Sequence, residues 1–374
     1  MSESGTRSLL SLPGVEGDED EEGAEAPARG AETFAFLDDA EALGQGSSTA
    51  TVPSSSSSPA AQGGDDFAPL LPGYRLLKRI SHGGMGEVHL AERLSDAGVA
   101  LRCAVKLVLA SKRDDTMLQQ QMLVEATIVS ELRHPNIVSI IDVGRAGDHL
   151  FMAMEWVDGC DLRTLNRLAR SNGMGIPLKH VAYIARDTLQ GLHHAHQAKG
   201  SDGRPLGIVH RDISLGNVLV SRHGSVKLAD FGVALQGSGL SRLRIAGKPQ
   251  YLAPELYRGA RASVQSDLYA MGVLLFELIT GLPLMPRNLS FPEMQQRVLT
   301  LDLDAVLAQD LTLPDGVEPI LRRSLARDPD ARFASALEML EDVSDFSYES
   351  GLRLLDAHFA RYVERCLETQ AQGE

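Results

Sequence analysis

His210-Arg211-Asp212-Ile213-Ser214-Leu215-Gly216-Asn217 lies near the middle of this 374-residue chain and decides how the rest is read. It sets an aspartate, Asp212, five positions ahead of an asparagine, Asn217. Asp230-Phe231-Gly232 follows, then Ala253-Pro254-Glu255. Upstream, Ile80-Ser81-His82-Gly83-Gly84-Met85-Gly86-Glu87-Val88 reads as strand, glycine turn, strand. Such glycines let a backbone approach phosphate oxygens without a Cβ in the way, although a glycine turn alone is as readily a plain hairpin. Lys106 follows in an apolar strand between Ala104-Val105 and Leu107-Val108. A strand lysine alone is equally a solvent-facing one. Paired with Glu125 on the next helical stretch, its ammonium would be held against the α- and β-phosphates of a nucleotide.

Together these motifs, with the stretches GGMGEVHLA (83–91), LRHPNIV (132–138) and GIVHRDIS (207–214), resemble the eukaryotic-type (Hanks-type) protein kinases, and their phrasing resembles the bacterial serine/threonine branch. The resemblance runs from about Tyr74 to Leu340. It implies an α+β, bilobal protein-kinase fold, with a small β-rich N-lobe holding one main helix and a larger helical C-lobe. It also implies an ATP-dependent activity on serine or threonine hydroxyls of protein substrates, with ATP and Mg2+ as cofactors and autophosphorylation as an expectation.

By that resemblance Asp212 would accept or orient the substrate hydroxyl proton, and Asn217 and Asp230 would hold magnesium through an amide oxygen and a carboxylate. The nucleotide would lie against Ile80, Ser81, Gly83, Gly84, Met85, Gly86, Val88, Ala104, Lys106 and Leu219. Met154 would stand at the back of its pocket, Glu155 to Val157 would form the hinge that receives the adenine, and Asp161 would meet the ribose. Glu255 would pair with Arg332, and Asp267 would anchor the catalytic-loop backbone.

Three positions depart from the family's pattern. Ser81 stands in place of the first glycine of the phosphate loop. Ser214 stands where a lysine usually contacts the γ-phosphate. Gly247-Lys248-Pro249 replaces the Gly-Thr that touches both the catalytic aspartate and that lysine. A positive charge is thus lost from the loop and gained in the segment facing it. The expectation is that Lys248 reaches toward Asp212 and the γ-phosphate; the alternative is a solvent-facing Lys248 and a slower enzyme. Between Asp230 and Glu255 only Ser238, Ser241 and Tyr251 carry hydroxyls, and Ser241, beside Arg242, is the candidate phosphorylation site.

Charge is lopsided. The whole chain carries a formal −14, and residues 1–73 hold 14 carboxylates against two arginines. The remainder is therefore near neutral, which argues against nucleic-acid binding. Cys103, Cys160 and Cys366 stand far apart, as in a reducing, cytoplasmic setting, and no apolar run is long enough to span a membrane. Residues 1–70 read as a disordered acidic, serine-rich tail with one apolar patch, Phe34-Ala35-Phe36-Leu37. The kinase-like domain is expected over 74–342 and a C-terminal helical extension over 343–374. Within the extension, Gly351 to Glu368 reads as an amphipathic helix with Leu352, Leu355, Phe359, Val363 and Leu367 on one face. Two other functions compete: a pseudokinase that binds nucleotide or partners without turnover, and an adaptor worked by its acidic tail. Activating signal, flanking-sequence specificity and oligomeric state leave no trace in the residues.

Overall fold

The computed structural model describes residues 71–82, 86–95, 97–108, 116–146, 149–171, 173, 175–231, 248–309, 313–353 and 355–373. The acidic tail with Phe34 to Leu37, the turn residues Gly83, Gly84 and Met85, and the hydroxyls of Ser238 and Ser241 lie outside these residues.

β1 (Tyr74–His82), β2 (Gly86–Leu94) and β3 (Ala100–Val108) form an antiparallel meander. After α1 (Thr116–Ser130), β4 (Ile140–Ala146) and β5 (His149–Glu155) complete one antiparallel sheet in the order β1-β2-β3-β5-β4. Strand alternation sorts the residues of β3: Cys103, Val105 and Leu107 point into a core with Leu76, Phe151 and Ala153, so Ala104 and Lys106 face the other way. Residues directly opposite in an antiparallel pair share a face, and Val88 lies opposite Lys106 while Ala104 lies opposite Met154. One sheet face therefore carries Val88, Ala104, Lys106 and Met154. Helix α1 buries Met122, Ala126 and Val129, a stripe at helical spacing, two of them against Val108, Leu150 and Met152.

Beyond the hinge come β6 (Gly159–Asp161), α2 (Leu162–Ser171), α3 (Leu178–Gln197), β7 (Val218–Ser221) and β8 (Val226–Leu228). The three short strands make a second sheet in that order. Helices α4 (Pro254–Tyr257), α5 (Val264–Thr280), α6 (Phe291–Leu299), α7 (Leu303–Leu307), α8 (Val317–Ser324), α9 (Ala336–Glu349) and α10 (Asp356–Gly373) follow. Every residue of α5 from Ser266 to Leu278 is buried, so this mostly apolar helix is enclosed on all sides and forms the spine of the lower core, with Ser266, Asp267 and Glu277 as its buried polar groups. It starts two residues earlier than the apolar pattern suggests, because Ser263 caps it in a reciprocal box with Ser266.

Two elements differ from their sequence expectation. The run Ile137 to Val143 is shared between sheets: Ile137 bridges to Leu228, Val138 N donates to Leu228 O (2.8 Å), and β4 itself begins only at Ile140. The C-terminal helix begins at Asp356, not Gly351. Gly351 adopts φ 63° just past α9 and turns the chain, leaving Leu352 and Leu355 before the helix; α10 buries Phe359, Val363 and Cys366. That face docks on α3, where His180 stacks on Tyr362 (4.7 Å between ring centres) and Tyr183 meets Phe359 (4.8 Å).

Candidate active site

The cleft between the two sheets gathers the chemistry. Lys106 Nζ lies 3.3 Å from Glu125 Oε2 and 2.9 Å from Asp230 Oδ1, so strand β3, helix α1 and the Asp-Phe-Gly segment meet at one ammonium. Burial alone would favour the neutral amine, but the Asp230 and Glu125 carboxylates outweigh it and hold Lys106 above the usual lysine range. The Lys106 ammonium in turn holds Asp230 below the usual carboxylate range, while burial lifts Glu125 to about 7. Asp230 remains 46 % exposed, open to the cleft.

The catalytic loop is pinned from below. Asp267, in the first turn of α5, accepts hydrogen bonds from His210 N (2.8 Å), Arg211 N (2.8 Å) and His196 Nε2 (2.9 Å), the anchoring that the sequence implies. Arg211 (φ 68°) and Asp230 (φ 53°) are the non-glycine residues with positive φ among those described, and both belong to this site. Left-handed backbone costs a side-chain-bearing residue on the order of 1–3 kcal/mol, so it persists only where neighbours over-determine it. Phe231 supplies one such constraint: fully buried, its ring lies 4.4 Å from that of His210 and joins the two motifs.

At the mouth of the loop Asn217 Nδ2 donates to Asp212 O (2.8 Å) and to Asp212 Oδ2 (2.6 Å), leaving Oδ1 of both side chains to other partners. Those partners come from Lys248. Its backbone N donates to Asp212 Oδ1 (3.2 Å), and its ammonium donates to Ser214 Oγ (2.6 Å) and Asn217 Oδ1 (3.2 Å), with Asp212 Oδ2 at 3.6 Å.

On the nucleotide side, Ile80 and Ser81 lie near the end of β1, Ile80 half exposed beside a strand irregularity and Ser81 opposite Val88. Gly86 admits no side chain: a Cβ there would meet Leu107 O at 2.0 Å. Val88, Ala104 and Met154 share the Lys106 face, while Leu219 on β7 pairs with Asp161 on β6. One oxygen of Asp161 is committed to the start of α2, accepting from Thr164 N (2.7 Å). Glu155 holds the hinge by its side chain, which accepts from Ser139 N (2.8 Å) and Lys227 Nζ (2.9 Å); Val157 follows, half-buried. Sequence reasoning missed His196, Ser139 and Lys227. Each finds its partner far along the chain, and no local spacing marks it. The Glu255–Arg332 pair is present and two-pronged, at 2.7 and 2.8 Å, with the Arg332 side chain fully buried.

A strand-built upper sheet, a helical lower half and this cleft between them are the marks of a nucleotide-dependent phosphotransferase scaffold. The protein kinase domain family matches residues 74–343, and the chain belongs to that family. It is 32% identical over 313 residues to a protein named tyrosine-protein kinase MasK of Myxococcus xanthus, covering 78% of this chain and 47% of that protein. It is 33% identical over 274 residues to serine/threonine-protein kinase PrkC of Bacillus subtilis, covering 72% and 40%. The chain thus spans less than half the length of these curated relatives. Among solved structures, the PknI kinase domain of Mycobacterium tuberculosis superposes with a TM-score of 0.56 at 27% identity, covering 75% of this chain and 99% of that one. No helix among the described residues is long and apolar enough to cross a membrane.

Proposed function

We propose that the chain is an active protein kinase that transfers the γ-phosphate of ATP to serine or threonine hydroxyls of protein substrates, itself included. The observation that carries this reading is the convergence of Lys106, Glu125 and Asp230 on one ammonium, with Asp212 and Asn217 bonded to each other at the loop below. Phosphoryl transfer asks little covalent chemistry of a protein; it asks for alignment and compensation of charge. Lys106, oriented by Glu125, binds and orients the α- and β-phosphates. Asp212, fixed by Asn217 and by the Lys248 backbone N, orients the substrate hydroxyl and takes up its proton as the oxygen attacks. The Pγ–O bond to the leaving ADP breaks, and the bonding pair departs with ADP.

Magnesium fits the donors present. Asp230 offers a cleft-facing carboxylate beside its bond to Lys106, and the Asn217 amide oxygen, which accepts from the Lys248 ammonium, keeps a second lone pair for an ion; both are hard ligands, and no three His, Cys, Asp or Glu among the described residues form a cage of their own. That donor set suits an ion carried in on the phosphates. When bound, the ion would neutralise phosphate charge. Val88, Ala104, Met154 and Leu219 would wall the base and Glu155 to Val157 would receive it. The relatives' names divide between tyrosine and serine/threonine; the catalytic loop HRDISLGN lacks the tyrosine-kinase pattern, which favours serine or threonine. The three free cysteines agree with a reducing cytoplasm, where ATP is supplied. A pseudokinase is disfavoured because no member of the set Lys106, Glu125, Asp212, Asn217, Asp230 is missing.

The test is a magnesium-dependent transfer assay with labelled ATP on the full chain beside Asp212→Ala, with mass spectrometry of the products. Phosphoserine or phosphothreonine formed by the wild type and not by the variant is the expected result. Phosphotyrosine alone would move the substrate class, and ATP binding with no transfer would favour the pseudokinase.

A further inference from the structure

The catalytic loop of this chain has no cation of its own after Asp212: Ile213, Ser214, Leu215 and Gly216 fill the stretch to Asn217. Yet a cation stands over it. The Lys248 ammonium comes from a segment more than thirty residues downstream and touches Ser214, Asn217 and Asp212 at once. We propose that Lys248 is a catalytic residue that contacts the γ-phosphate, and that Ser214 is its partner: the loop gave up its lysine, and the segment that faces it supplies the charge. This rests on the kinase reading above.

Four observations support it. First, Ser214 is fully buried and its hydroxyl accepts from the ammonium at 2.6 Å, so the small side chain both leaves room for the incoming lysine and orients it. Second, Lys248 meets Asp212 twice, by its backbone N to Oδ1 (3.2 Å) and by its ammonium near Oδ2 (3.6 Å), which places positive charge beside the group that receives the substrate proton. Third, the backbone is held for this task. Pro249 bars Lys248 from the helical region, and Lys248 sits extended at φ −80°, ψ 123°. Tyr257 Oη donates to Pro249 O (2.7 Å), and Tyr251 Oη donates to Glu277 Oε2 (2.7 Å) on buried α5. Fourth, the ammonium packs directly over the loop at Gly216: a Cβ there would stand in ordinary contact with Lys248 Nζ (3.6 Å) and press on Arg163 Nη2 (3.3 Å). A long, flexible lysine loses rotamer freedom when it is fixed, and a preorganised cation is of most use where negative charge develops on the transferring phosphoryl group.

The test is a charge swap in the full chain, read by single-turnover transfer from MgATP and by ATP dissociation constants, with melting temperature as the folding control. Lys248→Met should slow transfer about 10²-fold, as expected when one charge stabiliser is lost, while ATP affinity changes less than about threefold. The double variant Ser214→Lys/Lys248→Thr returns the cation to the loop and should recover at least about tenfold of that loss, whereas a strut role for Lys248 would not be rescued from position 214. A Lys248→Met protein within threefold of wild type overturns the proposal, and so does a swap no faster than Lys248→Met. Absence of transfer by the wild type would overturn the kinase reading and this one with it, a result visible in the unmutated sample alone.

Discussion

Asp267 gathers three donors on two oxygens: His210 N and His196 Nε2 on Oδ2, Arg211 N on Oδ1. Burial works against its ionisation, but the hydrogen bond and charge of His196, with the loop donors, hold it below the usual aspartate range. One of its partners, Arg211, has φ 68°, a conformation its side chain resists, so the carboxylate is what keeps the catalytic loop in a strained turn. Asp267→Asn sets an amide NH2 against N–H donors and strands at least one of them. We expect a loss of about 1–3 kcal/mol for each stranded donor, read by urea denaturation. Turnover should fall further than ATP affinity, because Asp212 stands on the loop that Asp267 holds. Equal stability of the two proteins would mean that the loop turn is held elsewhere.

At the level of elements, the lower half depends on a tie between the turn at α4 and the loop before α9. Arg332 donates to both oxygens of Glu255 and also to Gln265 O and Ala326 O, with its side chain wholly buried. A buried pair contributes little beyond an apolar replacement, but a widowed partner is costly. Arg332→Met alone should destabilise the fold by about 3–5 kcal/mol, and Glu255→Met/Arg332→Met by less than the sum of the singles. Strict additivity in a thermal-denaturation cycle would show that the pair does not act as a unit. This tie was legible in the sequence because both ends sit in recognisable motifs, APE and RDPDARF. The same holds for Lys106, Glu125, Asp212 and Asn217. What was not legible depended on single residues with distant partners. Ser263 moved the start of α5 by capping it, Gly351 moved α10 by turning the chain, and Ile137 left its strand for a bridge to Leu228. Periodicity reports which face is apolar; it does not report which neighbour claims it.

Across the whole molecule, α10 extends the family fold at its far end and closes over α3, and its seam carries a titratable group. His180 is buried between Phe359 and Tyr362, and burial lowers its pKa from 6.5 to about 4, with Lys179, His358 and Arg365 adding like charge. A histidine whose folded pKa lies below its unfolded value must shed its proton to fold. Its contribution is therefore fully present above about pH 6.5 and is lost as pH falls toward about 4. A shift of this size corresponds to a loss on the order of 3 kcal/mol across that window. His180→Phe keeps a ring against Tyr362 and Phe359 and removes the proton. Its melting temperature should fall less than that of wild type between pH 7 and pH 4, with the two curves converging in form above pH 7. Parallel curves through the acid window would place the acid sensitivity of the α3–α10 seam on groups other than His180.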